Sequence, residues 1–592
     1  MRLKRSEIAG LVFVAFRKNT QRTARYKRAF AIVLVLGFFP LCCSSKEPAK
    51  PAEQIADVRV LLIPLDDRPP CVQFPQMIGR IGDTEVIAPP REMLGRFVEP
   101  GQPEEITRWV RSQSLRSFDA IIVSMDMLAY GGLVNSRVHH TAEKEALNRL
   151  QLVTWMHRAA PKVPIYGFSV IMRLAPTGDG QNEAYRAKLA RWAEKSPDSA
   201  ADAVLKEEVA RLEQEIPAAA LADYKAARAR NFKVNQASVQ MVRNGVLDYL
   251  ILSQDDAQPR GLHVADRERL LEEIRHNQLE GKVAVQPGAD EVAMLLLARA
   301  LNKRFQYSPR IAAIYSSGAM RNRVAPYEDR PLHETVSLHI TSTGSREVAD
   351  TSQADIVFFV YGSRTEPGVA ATFSEQIDKE LSATIHQVIV ADIDSRGDVQ
   401  GAATGFTEEL RKRSVFPRLA GYASWNTAGN TIGTALPHGL VYSRALRDIK
   451  TTPPACRERV AASQIRFLLH RLFDDYGFHS VVRPAAKQFA AENHLNPNAL
   501  SGESQLRVTT FIVDRMHTLV DELWNEFASA KNVSNTVFSI WGVALEEVSA
   551  FTFTLPWGRT FEAAIDFSTS VVRNPAWSKA PAIGGVKAGI RP

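Results

Sequence analysis

From residue 58 onward, short apolar runs rich in β-branched residues alternate with stretches whose apolar positions recur every three or four residues. The runs are VRVLLIPLDD (58–67), EVIAPP (85–90), DAIIVSMD (119–126), VPIYGFSVI (163–171), DYLILSQDD (248–256), KVAVQPGADE (282–291) and RIAAIYSSG (310–318). Between them, segments such as EKEALNRLQLVTWMHRAA and DRERLLEEIRHNQ carry helical periodicity. Continuous apolar strands separated by amphipathic helices predict a parallel sheet covered on both faces, an α/β fold. The first domain is expected over 56–330, with a charged helical insertion at 181–245 that reads as a solvated subdomain or a lid. Its sheet is expected to be open and doubly wound; closure into a TIM-barrel-like form is the alternative.

A second set of runs follows: ETVSLHI (334–340), ADIVFFVYG (354–362), QVIVADID (387–394) and LAGYASWN (419–426). After the VAPYEDRP break (324–331) they predict a smaller Rossmann- or flavodoxin-like α/β domain over 331–450. Beyond TTPP (451–454) the periodicity is helical, until VSAFTFTLPWGRTFEAAIDF alternates like an antiparallel strand pair. Residues 451–592 are therefore expected as a helical region with a terminal strand pair. A chain of 592 residues exceeds what one core serves, in keeping with several domains.

The formal charge of +8 changes the picture less than it promises. Residues 1–28 hold nine basic side chains and one acid, which accounts for the whole excess and leaves the remainder neutral. Nucleic-acid binding, which needs a basic folded surface, is not indicated. RYKR followed by AFAIVLVLGFFPL (29–41) and CCSSKEPAKPAEQ reads as a secretory signal and tether over 1–47. The cysteine after the apolar run resembles a bacterial lipoprotein signal, with Cys43, or Cys42, as the lipidated residue. Export to the periplasm or cell surface, with the membrane met through a lipid anchor only, is the expectation. Cys71 and Cys456 then remain, too few for a disulfide scaffold.

Candidate chemistry gathers where strands end, the place where parallel α/β sheets bind ligands. Asp66, Asp67 and Arg68 end the first run; Asp126, then Tyr130, Asn135 and Arg137, follow the third; Arg173 follows the fourth. Gln254, Asp255 and Asp256 end the fifth, and Asp290 and Glu291 follow the sixth. Asp392, Asp394, Trp425, Asn426 and Asn430 occupy the ends of the second set. Any one aspartate there is as readily a helix cap. Together they suggest a site in which close carboxyls divide acid and base roles, as glycoside hydrolysis requires. Asp67, Asp126, Asp255 and Asp256 are the candidate catalytic acids. Asp66, Arg68, Tyr130, Asn135, Arg137, Arg173, Gln254, Asp290, Glu291, Trp425, Asn426 and Asn430 are the candidate substrate-binding residues. His263 is a weaker candidate base; a loop histidine is its simpler reading. No cofactor motif is present, although the same acids could hold a divalent cation such as Mg²⁺ or Ca²⁺.

IPLDDRP, PPREMLG, VSMDMLAYGGLVNSR, SQDDAQPRG, PGADEVAMLLLAR, YASWNTAGNTIGTAL and LPWGRTFE are also familiar as a set. Across residues 58–565 the chain resembles the bacterial family designated domain of unknown function 4127. It departs at Ser424, where a glycine is usual, and at Pro437-His438. The resemblance implies an α/β fold and brings no activity with it. The expected function is an exported carbohydrate-active enzyme, a glycoside hydrolase acting on a small-molecule or glycan substrate in an interdomain cleft. A metal-dependent hydrolase of phosphate or amide bonds and a non-catalytic solute-binding lipoprotein are the alternatives.

Overall fold

The computed structural model describes residues 56–574, apart from 179, 181 and 384; the leader and Cys43 lie outside the described residues. The first sheet contains β1 (Val58–Ile63), β2 (Thr84–Ile87), β3 (Ala120–Ser124), β4 (Ile165–Ile171), β5 (Tyr249–Gln254) and β6 (Val283–Pro287). They lie in the order β2-β1-β3-β4-β5-β6, every neighbouring pair parallel. The sheet is open, so the barrel alternative does not apply. The chain steps from β1 outward to β2 and returns on the other side to β3, which puts the topological switch between β1 and β3.

The second sheet repeats this plan. β7 (Arg310–Tyr315), β8 (Arg346–Glu347), β9 (Ile356–Tyr361), β10 (Gln387–Asp392) and β11 (Gly421–Ala423) lie in the order β11-β10-β9-β7-β8, again all parallel. A C-terminal helical region and the antiparallel pair β12 (Val543–Thr554) and β13 (Ala564–Arg573) complete the described chain.

Two sequence expectations are corrected here. The 310–318 run belongs to the second sheet, pairing with β9, so that sheet begins before the VAPYEDRP break. The 334–340 run is no strand: it lies in the helix Leu332–Ser342. Its β-branched residues suggest a strand, but its buried positions Leu332, Thr335, Val336, His339 and Ile340 follow the three–four spacing of a helix face.

Alternate residues of the first sheet serve different cores, as a period of two demands. Val60, Leu62, Ile122, Phe168 and Ile251 face a core that runs on without interruption into the second sheet. Leu61, Ile63, Ile121, Val123, Leu250 and Leu252 face the helices on the far side. The 186–243 helices carry a third small core around Leu189, Trp192, Leu212 and Tyr224. Two helices fill the seam between the sheets. Val292–Arg304 is apolar nearly all round, and Ala428–Arg447 is buried from 428 to 445. Gly433 permits their close approach, since a Cβ there would collide with Glu291. The two lobes therefore share one core.

Candidate functional site

The rim is built first at the end of β1. Arg68 is buried and forks between two carboxylates: its Nε and Nη2 donate to Asp66, and its Nη1 and Nη2 donate to Asp290 at 3.0 and 2.6 Å. Although β3, β4 and β5 lie between β1 and β6, the loop after β6 brings Asp290 onto Arg68. Burial pushes Asp290 up to about 7 despite Arg68. Asp66, Cys71 and Asp290 are close enough to share an ion. Every oxygen of both carboxylates already accepts from Arg68, however, so a cation there would have to displace a guanidinium.

Asp67 turns the other way. It accepts from Trp557 Nε1 at 2.7 Å and from Arg91 Nε at 3.2 Å. Trp557 arrives on the β12–β13 connection and also lies under the Arg68 guanidinium, 4.5 Å from its ring centre. Burial raises Asp67, against the pull of these two donors.

At the end of β3, Ser124 caps the short helix Met125–Tyr130 by accepting from Met127 N–H. Asp126 is only 1% exposed and accepts from Val170 N–H at 2.9 Å, tying β3 to β4. Burial lifts it to about 7. Tyr130 packs under Arg230. Gly131 and Gly132 both have positive φ and let the chain turn tightly into Asn135 and Arg137.

The β5 end forms the second cluster. Arg137 donates to Asp255 at 2.6 Å and to Thr177 at 2.6 Å. Arg173, from the end of β4, pairs with Asp256 and lies 4.0 Å from Asp255. Burial alone would raise Asp255, but Arg137 and Arg173 outweigh it and hold the carboxyl low. Asp256 is pushed up by partial loss of hydration and by the Asp255 charge, against Arg173. It sits in the left-handed region at φ 40°, with about a third of its side chain exposed (32%). Gln254 is occupied by Asp329 and Arg330.

The structure thus brings together Asp66, Arg68 and Asp290, and beside them Arg137, Arg173, Asp255 and Asp256. Arg68 helps to hold Asp255 low, and Asp255 helps to raise Asp290. Other expected site residues face elsewhere. Trp425, expected to stack on a sugar, is buried edge-on against Phe74, and its indole N–H donates to Thr434. Glu291 faces inward, accepting from Ala289 N–H with His339 3.6 Å away. Asn430 is buried in the first turn of the seam helix, whereas Asn426 is half-buried with φ 55°. His263 is enclosed against the Gln258 backbone, and burial pushes it down to about 4, so it stays neutral. In the second lobe Asp394 accepts from four backbone N–H groups, those of Arg396, Gly397, Val399 and Gln400. Asp392 accepts from Ala403 N–H and Arg364.

Sequence reasoning passed over Trp557 and Arg91. It also missed a third Asp-Asp pair, Asp474–Asp475, which looked like an ordinary helical stretch. That stretch is π-helical, Leu472–Val482. Buried Arg471 binds both acids, and Asp475 accepts from Ser424 N–H at 2.6 Å. The pair underpins the second lobe's strand ends.

An open groove of about 690 Å³ lies where the lobes meet. Its walls are the Gln258–Pro259 turn, two residues past Asp256, the 323–328 crossover, and Ser395–Arg396 after β10.

Fold and rim define a two-lobed parallel α/β protein whose first lobe carries carboxylates clamped by arginines at its strand ends. The family model described as "Protein of unknown function (DUF4127)" matches residues 60–566, and the chain belongs to that family. No curated protein matches it.

Proposed function

We propose that the chain is a carbohydrate-active hydrolase, a glycoside hydrolase whose acid–base pair is Asp255 and Asp256. One observation carries this reading: two adjacent carboxyls at a strand end have their proton affinities shifted in opposite directions by unlike surroundings. Asp255 is kept anionic by Arg137 and Arg173; Asp256 is raised, partly exposed and two residues from the groove wall. Environments that push neighbouring carboxyls apart assign acid and base roles. Asp256 would then protonate the leaving oxygen, with Asp255 supplying the negative charge. Arg68 and Asp290 brace the pair, while the enclosed Asp126 acts on position rather than on substrate.

The metal-dependent alternative is less well supported, because Arg68 already neutralises Asp66 and Asp290. The solute-binding alternative needs hinged lobes, and the unbroken core beneath both sheets disfavours a hinge. Export with a lipid anchor at Cys43 remains part of the proposal, resting on the leader sequence alone.

A glycan-panel turnover assay tests the reading, with Asp256→Asn as the control. The variant should lose activity by at least about a hundredfold and keep its melting temperature. Full turnover by Asp256→Asn on a substrate that the wild type cleaves would remove Asp256 from the mechanism.

A further inference from the structure

The groove between the lobes has its own electrostatic character. Its wall includes two exposed cations, Arg323 and Arg396. Among the described residues Arg323 makes no ion pair, and Arg396 has only a long contact, 3.4 Å, to the exposed Asp398. One acid belongs to the wall, Glu328. It is 2% exposed, accepts from Gly429 N–H at 2.8 Å, and is lifted by burial to about 8, so it adds no negative charge at neutral pH. The groove wall thus presents two exposed cations against one buried acid, unlike the acid-rich rim beside it.

It also offers an aromatic face. Tyr327 is 39% exposed and holds φ 65°, a left-handed conformation rarely adopted by a bulky residue. The second lobe sustains it. Gly397, at φ 74°, lies against the 326–327 turn, and a Cβ there would stand 3.2 Å from Pro326 and 3.5 Å from Tyr327. Such conformations persist where the surroundings over-determine them, and they concentrate at ligand clamps. Beneath this face Ser395 is buried, and its Oγ donates to Gly362 O at 2.6 Å, which fixes the loop that carries Arg396.

We infer that this groove binds an anionic saccharide, with its carboxylate or phosphate between Arg323 and Arg396 and its ring against Tyr327. The inference rests on the carbohydrate reading above and names the substrate class for the same cleft. Guanidinium groups pair with either anion by charge-assisted hydrogen bonds, so the shared chemistry is a sugar ring bearing negative charge.

The test is calorimetric titration of the full-chain protein with glucuronate, galacturonate, glucose 6-phosphate, inorganic phosphate and neutral glucose. At least one charged sugar should bind about tenfold more tightly than glucose. Its affinity should fall as salt rises from about 50 to about 300 mM. Preference for the uronates or for the sugar phosphate tells carboxylate from phosphate. The double variant Arg323→Ala/Arg396→Ala, both residues exposed and outside the core, should keep its melting temperature and lose at least about tenfold in affinity. Tyr327→Ala should weaken the sugar but not inorganic phosphate. Equal affinity for glucose, unchanged binding by the double variant, or no binding of any charged sugar overturns the inference. The hydrolase reading fails separately. If charged sugars bind as stated but no glycoside bearing them is cleaved, the groove assignment stands and the acid–base proposal falls. Cleavage of neutral glycans that Asp256→Asn abolishes, without binding of charged sugars, gives the reverse.

Discussion

The two sheets share a strand order, yet their carboxyl ends are finished differently. In the first lobe the acids are held by side chains: Arg68 between Asp66 and Asp290, Arg137 on Asp255, Arg173 on Asp256. In the second lobe the backbone takes a larger share: Asp394 accepts from four N–H groups, while Arg364 also reaches Asp392, and Asp475 divides itself between Arg471 and Ser424 N–H. A carboxylate saturated by backbone donors shapes a loop and has little capacity left for a ligand. One held by a guanidinium stays poised, because the partner can re-pair with substrate. The same topology thus carries a rim clamped by arginines on one lobe and one more closely bound to its own backbone on the other.

Breaking the first rim should have the largest effect. Arg68→Leu leaves Asp66 and Asp290 buried without their cation and should cost roughly 3–5 kcal/mol, read by urea unfolding at neutral pH. A cost under about 1 kcal/mol would mean that these carboxylates are effectively solvated. In the second lobe Asp394→Ala should cost about 2–3 kcal/mol through its lost backbone acceptors. Turnover by the protein that remains folded should persist, whereas Asp256→Asn should show the opposite pattern, stable and inactive.

A pH titration sharpens the contrast. Asp126 lies near 7 in the folded protein against an ordinary value of 3.8, so its protonated form favours folding. Its contribution is full below about pH 4 and is lost as pH rises to about 7. Asp126→Asn keeps an oxygen for Val170 N–H and removes that loss. The variant should match the wild type near pH 4 and exceed it by on the order of 4 kcal/mol above pH 7. An unchanged stability–pH curve would show that Asp126 does not titrate in this range. The smallest effect belongs to Gly397→Ala, about 1 kcal/mol from its positive φ, with the larger consequence expected for ligand affinity in the groove.

Much of the rim was legible in the sequence. Asp66, Arg68, Arg137, Arg173, Asp255, Asp256 and Asp290 all follow apolar runs, and a parallel sheet sends every run's end to the same side. Trp425 misled because a tryptophan at a strand end looks available, while its burial against Phe74 depends on packing between distant segments. Trp557 was visible in LPWGRTFE, but nothing local ties it to Asp67, 490 residues earlier. Asp474 and Asp475 were hidden inside a π-helical stretch, where a polar pair reads as solvated face.

By itself, the sequence determined the α/β class, the parallel strand pairing and the strand-end placement of the acids, because those follow from residue periodicity over a few positions; that the first sheet stays open rather than closing was decided by the tertiary structure. Tertiary structure alone decided which sheet received 310–315, that 334–340 coils rather than extends, that one core joins the lobes, and which carboxylate meets which arginine. Those outcomes depend on contacts between residues hundreds of positions apart, where burial and charge pairing across the fold outweigh local preference.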